Sequence, residues 1–337
     1  MMSETKSRLW TFEEALALVC DETQPLSRSV IAFLSGAGRS EVSRFAECWG
    51  RMSAGRQREL ITTMVEMAEA DFQMDFVAIF RWALQAEDPQ VREQAVEGLW
   101  EDEQPSLVDP LVRLMRNDPV ATVRARAASS LGHLALLAEL GDLPEDRADR
   151  LREALLQTID DPGEDLEVRR RAIESIAYLS DAPVRRIIDE AYAAADEAMR
   201  ISTVFAMGRT ADPHWAPQVT DELSSPNPAM RYEAARAAGE IGLKQAVGHV
   251  IRLLNDPDSE VRQMAAWALG QIGGPQARRA LKICESSQDE ALRDAAEEAL
   301  GELDFASAPL DMFYVEPAQA GGVADEEAGA EEEEPEA

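Results

Sequence analysis

Histidine, cysteine and lysine are nearly missing from this sequence, and the shortages of histidine and cysteine limit the sites that the protein can form. The 337 residues contain three of each. None of the histidines, His133, His214 and His249, has a metal-ligand residue three or four positions away. Because metal sites built on helices need such pairs, we predict no metal site.

The three cysteines are odd in number and far apart in the chain. They are Cys20, Cys48 and Cys284. They match no metal motif and predict reduced thiols in a cytoplasmic protein. The chain also lacks a Gly-x-Ser-x-Gly elbow and a glycine-rich phosphate loop. We therefore expect no catalytic residues and no cofactor.

Long apolar runs and alternating patterns are missing as well. No run of 18 apolar residues occurs, which argues against a membrane span. The first ten residues lack the apolar stretch of a signal peptide. No segment alternates with period two between turn residues, so we expect helices and no strands.

Positive charge is scarce relative to negative charge. The 33 basic residues oppose 64 acidic ones, and the net charge is −31. Eight acidic residues lie in residues 321–337, so most of the excess belongs to the rest of the chain. An acidic surface repels nucleic acid and anionic membranes, which predicts a neutral or basic protein segment as partner. The sequence does not indicate an oligomeric state.

What the chain does have is a repeat marked by arginine. Each copy places an apolar residue before the arginine and an alanine-rich stretch after it. The arginines are Arg92, Arg124, Arg169, Arg200, Arg231, Arg262 and Arg293. The steps between them are 32, 45, 31, 31, 31 and 31 residues. A period of this size is typical of stacked helical units.

One copy runs from Asp258 to Gly273. With its arginine as position zero, apolar residues occupy positions −1, +3, +7 and +10: Val261, Ala265, Leu269 and Ile272. These positions share one stripe of a helix, which Asp258 can cap at its start and Gly273 at its end.

Position +8 is glycine in five copies: Gly132, Gly208, Gly239, Gly270 and Gly301. Glycine inside a helix costs about 1 kcal/mol relative to alanine, so its recurrence predicts close packing between successive helices. Other amphipathic segments, such as residues 184–194, 245–254 and 275–284, lie between the arginine helices. We therefore predict an all-α solenoid, a right-handed α-α superhelix of about eight to ten helix pairs.

The repeat signature, Asp-x-x-Val-Arg-x-x-Ala-x-x-Ala-Leu-Gly-x-Ile-Gly, resembles the short HEAT repeat of phycobilin lyase subunits and deoxyhypusine hydroxylase. The resemblance covers roughly residues 70–303 and implies an interaction surface. In the hydroxylase family, His-Glu follows the repeat arginine and supplies iron ligands. Here those two positions hold other pairs, such as Gln263-Met264, so the resemblance does not imply a di-iron site.

The regular repeats occupy residues 71–305. Residues 1–70 are predicted to be a divergent helical cap with degenerate repeats, in which Gln57 replaces the arginine. Residues 306–337 are predicted to hold an apolar segment at 310–315 and a disordered acidic tail. The apolar segment either covers the last repeat, which we favour, or is a short docking motif. The 45-residue step adds about 14 residues around 138–149, either as a functional loop or as a longer helix.

The arginine ladder has two possible roles. The seven arginines can bond to carbonyl groups and to the capping carboxylates of neighbouring repeats, which would fix the stack. They can also bind anions. Since each arginine lies beside its own helix cap, we favour the structural role.

Positions +1, +5 and +9 lie opposite the apolar stripe and are predicted to face solvent on the concave side. They carry large aromatic residues among charged ones, which is typical of a binding surface. The predicted partner-binding residues are His133, Glu174, Tyr178, Phe205, Arg209, Tyr232, Arg236, Glu240, Trp267 and Gln271. The alternative is that these side chains pack against neighbouring repeats.

These observations favour a non-catalytic scaffold or adaptor that holds a partner protein on its concave face. The alternative is a lyase or chaperone that handles a cofactor, like the phycobilin lyase subunits that the repeats resemble. A large apolar pocket would favour the lyase, and a long shallow groove would favour the scaffold.

Overall fold

The structure is a computed structural model that describes residues 10–180, 182–193 and 196–307. The sequence-based predictions for the first nine residues, for the apolar segment 310–315 and for the acidic tail fall outside these residues.

Four helices precede the first arginine repeat. They are α1 (Phe12–Cys20), α2 (Arg28–Ile31), α3 (Arg39–Trp49) and α4 (Ala54–Ala70). Helix α1 begins with a capping box: the Thr11 hydroxyl accepts from the Glu14 N–H, and the Glu14 carboxylate accepts from the Thr11 N–H. In α4, Gln57 donates through Nε2 to the carbonyl of Trp49 at 2.9 Å, which ties α4 to the end of α3.

The cysteines correct one expectation. Cys20 and Cys48 form a disulfide that joins α1 to α3, so the prediction of three reduced thiols is wrong for this pair. The two residues are 28 positions apart, but the packing of α1 on α3 brings their Cα atoms to 6.1 Å. Cys284 is a free, buried thiol.

Seven helix pairs follow α4. Their first helices are α5 (Val77–Ala83), α7 (Val108–Asn117), α9 (Glu145–Asp160), α11 (Ala182–Tyr192), α13 (Ala216–Glu222), α15 (Val247–Leu253) and α17 (Gly274–Cys284). Their second helices carry the repeat arginines: α6 (Pro89–Glu97), α8 (Ala121–Leu140), α10 (Leu166–Ile176), α12 (Glu197–Arg209), α14 (Pro228–Ile241), α16 (Ser259–Ile272) and α18 (Glu290–Ser307). Short 3₁₀ turns occupy Ala32–Leu34, Pro105–Leu107, Pro213–Trp215 and Lys244–Ala246.

The second helices begin and end where the capping residues predict. The side chains that accept a backbone N–H at the helix start are those of Asp88, Asp165, Asp196, Asn227 and Asp258. Gly141 ends α8 with φ 81°, and Gly242 ends α14 with φ 72°. Glycine adopts this left-handed conformation without the steric penalty of a side chain.

The second helices pack on one another in an unbroken series from α4 to α18. Leu131, Met207 and Leu269, all at position +7, are fully buried between them. Together with the α3–α4 pair, this makes eight stacked helix pairs within the described residues. The prediction of an all-α solenoid is confirmed.

Glycine at position +8 permits the close stacking. A methyl group at Gly208 would lie 2.8 Å from the Cα of Ala237, and one at Gly239 would lie 3.0 Å from the Cα of Ala268. At Gly301 in the last helix, a methyl group would meet no described atom within 4 Å. The first helices contact one another much less than the second helices do. The stack therefore curves toward the second helices, which form its concave side.

The 45-residue step lengthens two helices rather than adding a long loop. Helix α8 has 20 residues and α9 has 16, and the connection between them spans residues 141–144. Leu143 of this connection is buried. The structure thus agrees with the longer-helix interpretation of this insertion. Within the described part of the chain, no helix combines the length and apolar character needed to cross a bilayer.

Candidate interaction surface

The second helices carry the predicted partner-binding residues, but these residues are less exposed than expected. Of the ten, only Gln271 is exposed, and the other nine are partly buried. The side chains of Glu174, Arg236 and Glu240 keep only 12%, 13% and 12% of their exposure. These side chains therefore face solvent only in part, because neighbouring repeats also cover them.

Close stacking explains this burial, because side chains at +5 and +9 reach over the glycine of the preceding repeat. A methyl group at Gly239 would lie 2.8 Å from Cζ3 of Trp267. One at Gly132 would lie 3.3 Å from Cε2 of Tyr178. Because glycine has no side chain, it leaves a space that an aromatic ring of the following repeat fills.

The centre of this surface is a group that we call the arginine–aromatic cluster: Tyr178, Phe205, Arg209, Arg236 and Glu240. The Arg236 guanidinium lies 3.8 Å from the centroid of the Phe205 ring. The Arg209 guanidinium lies 5.4 Å from the same centroid and 5.8 Å from that of Tyr178. Cation–π attraction therefore joins the turn after α10 to α12 and α14.

Carboxylates hold the two arginines in place. Glu240 accepts from Arg209 and lies 3.7 Å from Nη1 of Arg236. Glu233 accepts from Nε of Arg236 at 2.9 Å. Burial raises the pKa of both carboxyl groups above the ordinary value of 4.5, although the neighbouring arginines oppose this shift. These charges are desolvated and held in one geometry.

Two charged residues of this surface were missed by the sequence analysis because they lie at position +2. They are Glu233 and Arg171. Arg171 donates to Glu174 at 2.8 Å and also bonds to Glu167. The sequence signal was the spacing of opposite charges three or four residues apart, which places them side by side on a helix.

The remaining predicted residues lie at the two ends of the surface. Gln271 donates to the Glu302 carboxylate at 2.6 Å, and Tyr232 and Trp267 pack against the core. His133 lies in α8, next to Gly132, which faces the Tyr178 ring. The ring centroid of His133 lies 6.1 Å from that of Trp100, and its Nε2 lies 3.5 Å from Glu103.

A family model of HEAT repeats matches residues 77–162 and 216–301, which together make just over half of the chain. The chain belongs to the HEAT repeat family. The resemblance seen in the repeat signature is thereby confirmed. No curated protein matches the sequence significantly.

Several solved structures are similar to this chain at low sequence identity. Human deoxyhypusine hydroxylase in complex with glycerol is 19% identical, with coverage of 87% of this chain and 96% of that one and a TM-score of 0.32. The complex of CpcE and CpcF of phycocyanin lyase from Nostoc sp. PCC7120 is also 19% identical, with coverage of 68% and 94% and a TM-score of 0.46. The Kap95:Nup1 complex is 15% identical, with coverage of 88% and 46% and a TM-score of 0.49.

Five of the seven repeat arginines of this HEAT array bond to carboxylates of the following repeat. Arg92 donates to Asp118 at 2.6 and 2.8 Å, and Arg231 donates to Asp256 at 2.7 and 2.8 Å. Further pairs of this kind are Arg124 with Glu164, Arg200 with Glu222 and Arg262 with Asp289. Asp118 and Asp256 lie two residues before the N-cap residue and not at the cap itself, whereas Asp289 directly precedes α18 and its carboxylate accepts from the Leu292 N–H, as the prediction of a capping carboxylate requires.

Six of the repeat arginines donate to carbonyl groups of their own repeat. Arg231 donates to the carbonyls of Ser225 and Pro226, and Arg262 donates to those of Asp256 and Pro257. Arg169 and Arg293 donate to the carbonyls of Ile159 and Ser287. These bonds fasten the loop between the two helices of a HEAT repeat to the start of its second helix.

The surface contains no metal centre among the residues that the structure describes. Nowhere in that part of the chain do three or more histidine, cysteine, aspartate or glutamate side chains form a group suited to a metal ion.

Proposed function

We propose that this HEAT repeat protein is a non-catalytic scaffold that holds a segment of a partner protein on its concave side. The binding surface is the arginine–aromatic cluster, extended by Glu174 at one end and by Tyr232, Trp267 and Gln271 at the other. His133 lies next to Gly132 of α8, which faces the Tyr178 ring, and it extends the surface on that side. A cytoplasmic location is part of this proposal, but it no longer rests on the cysteines, because Cys20 and Cys48 form a disulfide and such bonds are rare in the cytosol.

The observation that carries this proposal is the arrangement of the cluster. Aromatic rings, arginines and carboxylates from the turn after α10, from α12 and from α14 are already held by mutual contacts. Since their rotamers are restricted before binding, a partner loses less conformational entropy when it docks. Aromatic and arginine side chains are also the residues that most often dominate binding energy.

The excess of negative charge favours a neutral or basic partner segment. Glu233 and Glu240 add partly buried carboxylates to the surface, and their raised pKa values show that burial penalises their charged forms. A cationic group of the partner would relieve that penalty.

We do not extend the proposal to a lyase that handles a tetrapyrrole. The cluster consists largely of charged side chains in ion pairs, whereas ligand pockets are lined mainly by apolar groups. An apolar cavity of about 340 Å³ lies elsewhere, between α4 and α6.

Site-specific photo-crosslinking in the native host tests the scaffold. A photoreactive phenylalanine analogue replaces Tyr232 in one strain and Ile283, an exposed residue of α17, in another. We expect the same partner to be captured repeatedly at position 232 and not at position 283. Mass spectrometry of the crosslinked peptide identifies the bound segment.

A substitution then checks that the captured protein is a specific partner. Arg209→Ala should weaken its binding to the purified protein at least tenfold, and Ile283→Ala should leave the binding unchanged. Equal capture at both positions, or binding that survives Arg209→Ala, would contradict the proposal.

A further inference from the structure

A second apolar surface lies outside the arginine–aromatic cluster, near the start of the array. It is a groove of about 340 Å³ between the end of α4, helix α5 and the end of α6. The buried residues Val65, Phe76 and Phe80 form part of its lining. Phe72 and Trp100 line it too, although they are 89% and 58% exposed. We call it the Phe72–Trp100 groove.

Its shape follows from a departure from the repeat pattern. Trp100 occupies position +8, where five other copies have glycine. Helix α6 ends at Glu97, three residues before Trp100. The Trp100 side chain therefore does not lie between stacked helices but beside His133. At Gly98, a methyl group would lie 2.5 Å from the Phe80 ring, so only glycine lets this ring lie against the chain here.

The charged residues that line the groove are all acidic. Glu69, Glu97, Glu101 and Asp102 line it, and no described lining residue is cationic. Two arginines outside the groove compensate part of this charge: Arg81 pairs with Asp102, and Arg126 pairs with Glu97. Glu69 and Glu101 add further negative charge beside the exposed rings.

We propose that the Phe72–Trp100 groove binds a short segment of a partner protein that carries a large apolar side chain flanked by lysine or arginine. Exposed aromatic rings over an apolar floor would hold the apolar side chain. The acidic residues would attract the basic flanks and repel acidic sequences. The chain's own residues 310–315 are apolar, but the strongly acidic residues that follow them make this segment a poor match for the groove.

This inference does not rest on the proposed scaffold function, because the groove shares no residue with the arginine–aromatic cluster. If the groove proposal fails, the scaffold proposal is unaffected, and the reverse also holds. Phe72→Ala and Trp100→Ala should not change crosslinking at position 232, and Arg209→Ala should not change binding in the groove.

Fluorescence anisotropy with the full-length protein tests the groove. The probe is a fluorescein-labelled peptide, Lys-Arg-Leu-Trp-Arg-Lys, and the matched probe replaces all four basic residues with glutamate. We expect saturable binding of the basic peptide and no measurable binding of the acidic one. Phe72→Ala and Trp100→Ala should each weaken the binding about tenfold or more.

The control variant is Ile283→Ala, which removes a 73% exposed apolar side chain on α17 and should leave the affinity unchanged. Because Phe72 and Trp100 are exposed, their variants should keep the circular dichroism of the wild type. Two results would overturn the proposal: unchanged affinity in both groove variants, or displacement of the probe by a peptide with the sequence of residues 310–315. Unchanged affinity would show that the probe binds elsewhere or non-specifically. Displacement by the 310–315 peptide would show that the groove binds the chain's own segment.

Discussion

Asp256 bonds to two successive repeats. Its carboxylate accepts from Arg231 of the preceding repeat and from the backbone N–H of Asp258. Its carbonyl accepts from Nη1 of Arg262 at 2.7 Å. Asp118 makes the same two kinds of bond, to Arg92 and Arg124. At these positions, one residue fixes both the loop of its repeat and the contact between repeats.

Asp256→Asn should destabilise the protein by about 3 kcal/mol, because it leaves a largely buried arginine without its charged partner. The side chains of Arg231 and Asp256 are only 12% and 5% exposed. Urea-induced unfolding followed by circular dichroism measures the change. Glu260→Gln, at an exposed position of α16, is the control and should change stability little. Equal stability of the two variants would show that the pair contributes nothing.

The same pair predicts a dependence on pH. Burial acts to raise the pKa of Asp256, but the bonds from Arg231 and Asp258 outweigh it and leave the pKa below the ordinary value of 3.8. A lowered folded-state pKa adds stability above the unfolded value, and this stability is lost as the pH falls through the folded value. We expect the stability difference between wild type and Asp256→Asn to be constant above about pH 5 and to shrink below pH 3.8. A difference that stays constant down to pH 2 would contradict this.

At the scale of the helix, glycine decides how closely neighbours can stack. Gly239 and Gly301 occupy the same repeat position and would respond differently to substitution. A methyl group at Gly239 would lie 2.8 Å from the Trp267 ring and 3.0 Å from the Cα of Ala268. At Gly301 no described atom lies within 4 Å.

Gly239→Ala should therefore destabilise the protein by about 1–3 kcal/mol, because the overpacked helices must move apart. Gly301→Ala is the matched control. It should stabilise the protein by up to about 1 kcal/mol, since alanine favours the helix and meets no obstacle. Thermal unfolding of both variants distinguishes the effect of packing from that of helix propensity. A gain in stability from both substitutions would exclude close packing at Gly239.

The disulfide between α1 and α3 gives the N-terminal helices a covalent connection. Thiol titration of the protein unfolded in guanidinium should find one reactive thiol, that of Cys284, and three after reduction. Reduction should lower the stability of these helices by about 3 kcal/mol, because it releases a constraint on the unfolded chain. Cys284→Ser serves as the control and should have no reactive thiol before reduction. Three thiols before reduction would contradict the pairing.

At the scale of the whole molecule, each repeat contacts its neighbours in the series and little else. Stability in such an array is close to a sum over repeats and their interfaces. A substitution that disrupts one repeat should therefore increase local unfolding only in that repeat and its neighbours.

We expect Gly239→Ala to accelerate amide hydrogen exchange in α12, α14 and α16 and to leave α1 to α6 unchanged. Exchange measured by mass spectrometry on peptic peptides resolves these segments. Gly301→Ala should show no acceleration in α14. Uniform acceleration along the chain would mean that the array unfolds as a single cooperative unit.

Much of the architecture could be predicted from local patterns. The period of the arginines, the capping aspartates such as Asp258, and the glycines at position +8 predicted the second helices and their stacking. Helix capping and apolar periodicity act over a few residues, so they are visible in sequence. The pattern also identified Tyr178, Phe205 and Arg236 as one face, although their burial was not foreseen.

The sequence by itself determined the helix pairs, their repeat and the position of each arginine at the start of a helix. Only the tertiary structure decided that Cys20 lies against Cys48, that Trp267 fills the space over Gly239, and that Phe72 and Trp100 border one groove. These features depend on distances between residues about 28 positions apart. Such distances are set by how closely helices pack, and packing depends on side chains from several repeats together.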